Sequence, residues 1–391
     1  MSQSDLPARI LEAVRAALPE AAEPAPLHAP EFRGREWDYL KDCLDTGWVS
    51  SVGAYVDRFE HDLAELTGAA RAVAVANGTA ALDVCLRLAG VQAGDEVLVP
   101  TLTFVATANA VTYRGAIPHF VDSEPHTLGV DPGRLEAHLS AVARLTDEGC
   151  VNVRTGAPIR ALMVMHVFGH PCDLDGLMEV AARWRLVLVE DAAEAVGSSW
   201  RGRPLGTFGR LGALSFNGNK IITTGGGGAV LTDDPELGRR AKHLTTTAKV
   251  PHRWAFDHDE VGWNYRMPNL NAALGCAQLE RLPDMLARKA RLAERYRTAF
   301  AGIEGVRLLE PRPGAEVNHW LNTLILDRAE PDLREAVLGA LNDAGFQARP
   351  LWTLMHRLPM YASCPRDALP VAEALEARVI NLPSSAALAD G

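Results

Sequence analysis

The chain has 391 residues, 48% of them hydrophobic and 23% charged, with 39 lysines and arginines against 49 aspartates and glutamates. That balance belongs to a globular protein long enough for two or three folding units, and it excludes disordered, collagen-like and small disulfide-stapled chains. A net charge of −10 repels phosphate backbones over most of the surface, so a nucleic-acid partner is disfavoured while a local cleft for a small anion is not.

Cys43, Cys85, Cys150, Cys172, Cys276 and Cys364 are scattered without a C-x-x-C pair. Neither a zinc knuckle nor a redox motif is expected, and reduced thiols in a cytoplasmic protein are the simpler reading. The N-terminus lacks a continuous apolar stretch, and no apolar run approaches the ~20 residues that span a bilayer, so neither export nor a membrane is expected.

In chain order, Ile10, Leu11, Val14 and Leu18 recur at helical spacing and predict an amphipathic helix over 6–18. It either docks on the body or a neighbour or frays as an extension, and the Pro-rich AAEPAPLHAP after it reads as a linker. From residue 71, short apolar runs alternate with helical ones. RAVAVAN precedes GTAALDVCLRLAG, DEVLVP precedes TFVATANAVTYRG, IPHFVD precedes DPGRLEAHL, IRALMVMHVFG precedes DLDGLMEVAARW, and RLVLVED closes the series. Strands too apolar to face water on either side predict an α/β fold, a mostly parallel sheet covered by helices. GALSFNGNKIITTGGGGAVLTDD then reads as two strands joined by a turn. A long helix follows from Asn269 to about Phe300, with a kink expected at Pro283. VNHWLNTLILD, PDLREAVLGALNDAG and FQARPLW form a smaller α+β module. The expected organisation is an extension and linker over 1–28, a large domain over 29–300 and a small C-terminal domain over 301–391.

Ligands bind at the carboxyl ends of strands in such sheets, and four features fall there. Asn77-Gly78-Thr79 stands between a strand and a helix, where free N–H groups and the positive helix end suit a phosphate; Asn-Gly is also a common turn. Glu190-Asp191 ends the most apolar strand, either as a buried carboxylate awaiting a cation or as the N-cap of a helix over AAEAV. Lys220 follows a buried strand among small residues, where a lysine amine can serve as nucleophile or base. Gly225–Gly228 is either a backbone that lets another molecule approach or a plain hairpin turn, and it is not a P-loop. Together, a phosphate site at a helix end, a buried anion and a pocket lysine match what pyridoxal phosphate requires. His166 and His170 in HVFGH resemble a metal pair only superficially; no third ligand is evident, and no metal is expected.

The motifs NGTAAL, TFVATANAV, VEDAAEAVGS, SFNGNKIITTGGGG and VGWNYRMPNLNAALG follow one another in the order and spacing of a known family. From about Leu27 to the C-terminus the chain resembles the DegT-type nucleotide-sugar aminotransferases, which have the aspartate-aminotransferase (type I) fold. The resemblance implies a pyridoxal 5'-phosphate enzyme whose Lys220 forms the Schiff base and whose Asp191 pairs with the pyridine nitrogen. It further implies that Gly78, Thr79 and Ser215 hold the phosphate and that Phe104 stacks on the ring, although Phe104 also fits plain core packing. Glu194 falls where many members carry Gln or His near the ring hydroxyl. Asn264 would reach the phosphate of the neighbouring subunit's cofactor, making a homodimer part of the site. Trp48, His319, Trp320, Trp352 and His356 stand in segments expected to border the cleft as substrate contacts, and Arg266 could meet the carboxylate of an amino donor; each could equally serve packing or a subunit interface.

LHAPEFRG, GWVSSVGAYVDRFE and HLTTTAK narrow the resemblance to the branch that aminates C4 of a nucleotide-linked 4-keto-6-deoxy-N-acetylhexosamine, with L-glutamate as donor and 2-oxoglutarate as co-product. A 3-aminotransferase or a GDP-perosamine-type synthase are the alternatives within the family. A non-catalytic pyridoxal-phosphate-binding regulator is the alternative outside it. Relatives that dehydrate the sugar carry His at the lysine position, which Lys220 argues against.

Overall fold

The computed structural model describes residues 5–19, 21 and 24–390. Residues 1–4, 20, 22, 23 and 391, which fall within the expected extension, linker and C-terminal domain, lie outside them. Seven strands build the central sheet: β1 (Arg71–Val75), β2 (Glu96–Pro100), β3 (Ile117–Val121), β4 (Pro158–Met165), β5 (Val187–Asp191), β6 (Leu211–Ser215) and β7 (Gly228–Thr232). Their spatial order is β1-β7-β6-β5-β4-β2-β3. Only β7 runs antiparallel to its neighbours, so the other six strands point the same way and their carboxyl ends share one edge. A hairpin of Ala143–Thr146 and Gly149–Asn152, not foreseen in the sequence, pairs antiparallel with the start of β4.

Alternate residues of each strand feed two separate cores, as a pleat with period two requires. Leu98, Leu162, Val164 and Leu188 pack into one, and Val97, Val99, Ala161, Met163 and Val189 into the other. Helices cover both faces, which is why the strands read as continuous apolar runs. The longer helices of the chain are α1 (Leu6–Ala17), α2 (Glu36–Thr46), α3 (Ala54–Thr67), α4 (Gly78–Leu88), α5 (Val105–Tyr113), α6 (Pro132–Val142), α7 (Leu174–Arg183), α8 (Pro235–Thr245), α9 (Asn269–Phe300) and α10 (Pro331–Asp343), of which α1 and α10 pack away from this sheet. The 32-residue α9 continues through Pro283 as one helix. No helix among the described residues is long and apolar enough to cross a membrane.

The C-terminal part forms a second, antiparallel sheet in the order β8 (Val306–Leu308), β9 (Asn322–Leu326), β11 (Val379–Leu382) and β10 (Arg349–Pro350). Its core joins Leu324, Leu326 and Ile380 to Tyr296 and Phe300 of α9 and to Ile10 and Val14 of α1. The N-terminal helix therefore docks on the body, against sequence-distant partners. Ile10 is fully buried there. Ile10→Ala is expected to lower stability by roughly 2–4 kcal/mol, the range for such core truncations; a loss below about 0.5 kcal/mol in chemical denaturation, the scale of surface substitutions, would show that the helix does not dock.

Candidate active site

The carboxyl ends of β1, β4, β5 and β6 surround a cavity of about 250 Å³ lined by Gly78, Thr79, Phe104, Asp191, Glu194, Ser215, Lys220, Trp320 and Trp352, among others. This lies just below the ~300–1,000 Å³ common for small-molecule sites. Seven of the eight residues expected to contact the cofactor are thus brought together, from several separate strand ends.

Asp191 and Glu190 are neighbours on β5 and point to opposite faces. Glu190 is fully closed off: it accepts N–H groups from Gly206 at 2.9 Å and Gly209 at 2.6 Å and pairs with His166 Nε2 at 2.8 Å. His166 Nδ1 in turn accepts the Cys172 N–H at 3.3 Å. His166 thus braces the sheet end, and buried His170, pushed down to about 3 by burial, makes no pair with it. Asp191 faces the cavity and accepts only the Thr107 hydroxyl at 2.7 Å and the Ala193 N–H at 3.2 Å. It has no ion-pair partner among the described residues, and burial holds its carboxyl above the usual aspartate range. No helix follows it; residues 192–198 are turns. The alternative of a helix N-cap is therefore not realised: Asp191 accepts the Ala193 N–H and the Thr107 hydroxyl at the head of a loop.

Thr107 escaped the sequence reading, although it stands one helical turn from Thr103 on the segment after β2. Their hydroxyls lie 2.6 Å apart, so the pair orients the Asp191 carboxylate from behind.

Asn77 caps α4 through the Ala80 N–H at 2.8 Å. The N–H groups of Gly78 and Thr79 have no acceptor among the described residues and open toward Ser215, as orphan donors of a first helical turn do. Glycine is required at 78, since a Cβ there would stand 2.8 Å from Ser215 Cβ. The last glycine of the run has the same cause: a Cβ on Gly228 would lie 2.5 Å from the Asn77 carbonyl carbon, a close approach of backbones, whereas Gly225 takes a left-handed φ of 78°.

Lys220 Nζ lies 3.3 Å from Glu194 Oε1 and 4.0 Å above the centroid of the Trp320 ring. The other Glu194 oxygen accepts the Phe168 N–H at 2.9 Å. Phe168 sits in the left-handed region at φ 55°, uncommon for a bulky residue and costing on the order of 1–3 kcal/mol; the twist turns its N–H onto Glu194. Phe104 is half exposed at the rim, 6.3 Å from Trp352, so it is not core.

Five expected contacts lie elsewhere. Asn264 is exposed and accepts Arg266 Nε at 3.0 Å, on a segment pairing with the end of β1. Trp48 is exposed on the loop after α2, its carbonyl held by Asn269. His319, at φ 49°, is pushed down to about 4 by burial and does not line the cavity. His356 contacts Thr101 Oγ1 at 2.7 Å and Glu373 at 3.3 Å. These side chains are not gathered around the cavity because their segments leave the strand ends for packing or for the surface.

Burial pushes the Glu194 carboxyl from its ordinary 4.5 up to about 7, against the pull of Lys220 and of the Phe168 N–H. A carboxyl raised on folding contributes stability that is complete below pH 4.5 and lost as pH rises through about 7. Glu194→Gln lacks this titration. In ligand-free protein, the stability of the variant relative to the parent should therefore rise by on the order of 3 kcal/mol from acid to mildly alkaline pH. Urea melts at stepped pH measure it; a pH-independent difference would refute the burial argument.

Residues 30–391 match the model of the DegT/DnrJ/EryC1/StrS aminotransferase family. A GDP-perosamine synthase of Caulobacter vibrioides is 40% identical, with 93% of each chain covered. Among solved structures, the aminotransferase TlmJ of Streptoalloteichus hindustanus superposes with a TM-score of 0.84 at 30% identity, covering 94% of both chains. Spr1654 of Streptococcus pneumoniae, described as a sugar aminotransferase and solved in a PMP form, gives 0.83 at 26% identity over 92% of both. The perosamine relative means that the comparisons do not single out the N-acetylhexosamine branch. They do establish the larger grouping: the chain belongs to the DegT/DnrJ/EryC1/StrS aminotransferase family and is an enzyme of that class.

Proposed function

We propose that the enzyme uses pyridoxal 5'-phosphate to move an amino group from L-glutamate to C4 of a nucleotide-linked 4-keto-6-deoxy sugar, giving a 4-amino sugar nucleotide. The observation that carries the reading is the convergence of Lys220, the unpaired buried Asp191 and the free N–H groups of Gly78 and Thr79 on one cavity. The residues fit the group: the Gly78 cradle that a Cβ would fill accepts a phosphate, and Asp191 accepts a pyridinium N–H. The PMP form of a structural neighbour supports the same cofactor.

When bound, pyridoxal phosphate supplies an aldehyde that condenses with amines and a ring that takes up electrons from the carbon losing its proton. Lys220 Nζ would hold the aldehyde and, once freed by the donor amine, would take up and return a proton as base and acid. Asp191 would hold a proton on the ring nitrogen, a fixed cation for developing negative charge. Gly78, Thr79 and Ser215 would hold the phosphate, Phe104 would pack against the ring, and Glu194 would lie near its hydroxyl. Asn264, exposed and outside its own cavity, suits a phosphate across a subunit boundary, so the working unit is a homodimer. The second half-reaction reverses these roles on the keto-sugar.

For the nucleotide and sugar, the perosamine relative supports a GDP-linked sugar without the N-acetyl group over a UDP-linked N-acetylhexosamine. Both are arms of one assay with glutamate and cofactor, read by NMR of the product. Amination at C4 of the GDP sugar is expected; amination at C3, or turnover of the N-acetylated sugar alone, would overturn the assignment. Borohydride should fix a pyridoxyl group on the peptide containing Lys220, and Lys220→Ala should lose amino transfer by at least ~10³-fold, the order attached to a lost proton-transfer group. Labelling on another peptide, or retained turnover, would reject the role of Lys220.

A further inference from the structure

We propose that Trp320 is a positioning residue for Lys220, holding the lysine nitrogen on its indole face and favouring positive charge there. The inference rests on the reading of Lys220 as the cofactor-bearing lysine. Trp320 grips that lysine twice. Its ring centroid lies 4.0 Å below Nζ, well inside the ~6 Å reach of a cation–π contact. Its Nε1–H donates to the carbonyl of Asn219, the preceding residue, at 2.7 Å. One side chain thus fixes both the turn that carries Lys220 and the end of its tether.

The indole is itself fixed and dry. Trp320 is 4% exposed, its backbone N–H donates to Asn318 Oδ1 at 2.9 Å, and Asn318 Nδ2 donates to the carbonyls of Glu194 and Val196 at 2.8 and 2.9 Å. Lys289 of α9 reaches the Trp320 carbonyl at 3.2 Å. Asn318 therefore ties the backbone that carries the indole to the backbone of Glu194 beside Lys220, although Asn318 and Glu194 are 124 residues apart in the chain.

The charged and titratable groups around Nζ divide clearly. Glu194 and Asp191 face it from the end of β5 and the turn after it, while Lys289 on α9 and His28 on the N-terminal segment stand behind the indole. Burial drives Lys289 well below the usual lysine range and His28 well below the usual histidine range. Glu194 changes charge near neutrality, so its attraction fades on the acid side. The indole quadrupole does not titrate, so its attraction for a cation does not change with pH.

The test is a pH titration of the visible absorption band of the cofactor-loaded enzyme, for wild type, Trp320→Phe and Trp320→Leu, with Trp320→Met in place of Leu if the Leu variant fails to take up cofactor. Removing the aromatic face should move the midpoint down by roughly 0.5–1.5 pH units, and Phe, which keeps a ring, should recover most of the shift. Superimposable profiles for wild type and both variants would overturn the role of Trp320. No band in wild type, or an unchanged band in Lys220→Ala, would instead overturn the assignment of Lys220 on which it rests. A side chain that merely filled space would lower melting temperature without moving the midpoint.

Discussion

The structure turns on one unpaid charge. Asp191 ends the central strand of a sheet covered on both faces, where a carboxylate has lost its water and has gained one hydroxyl and one N–H in return. A buried carboxylate without a cation is unstable in its charged form. Its neighbour Glu190 shows what a closed account of the same chemistry looks like, with two backbone N–H donors and His166 around it. The difference between the two is strand parity: adjacent residues point to opposite faces, so one carboxylate braces the sheet and the other waits for a ligand cation.

Around that waiting carboxylate the remaining parts are set by close approaches of backbone. Gly78 and Gly228 permit the β1–α4 turn, β6 and β7 to crowd together, which leaves the helix N-terminus unobstructed for an anion. The overall charge of −10 describes the outer surface only; inside the cavity, oriented N–H groups and one lysine meet the negative charge. The strain at Phe168 belongs to the same arrangement, because it aims a donor at Glu194 and thereby frees the other oxygen for Lys220.

Much of this was legible in the sequence because it is local. Gly78-Thr79, Asp191, Ser215 and Lys220 each follow an apolar run, and strand ends are where an α/β sheet binds ligands. The alternation of runs also foretold the covered, mostly parallel sheet. What the sequence withheld depends on long-range packing. That α1 joins the core of the C-terminal sheet, and that Trp320 lies beneath Lys220 with Asn318 tied to Glu194, involve partners 100 or more residues apart. No periodicity records such pairings. His319 and His356 were chosen by residue type and by segments expected to border the cleft, but His319 is buried outside the cavity and His356 is held by Thr101 and Glu373. The helix expected after Asp191 failed because AAEAV has good helix propensity but its cap was already committed, and tertiary demands outweigh a weak local preference.

The central claim is that Asp191 exists to hold a proton on the nitrogen of the bound ring. Nitrogen-15 NMR of enzyme loaded with ring-labelled cofactor reads that proton directly. The account predicts a protonated ring nitrogen in the wild type and an unprotonated one in Asp191→Asn at matched occupancy. The same protonation state in both proteins would contradict it.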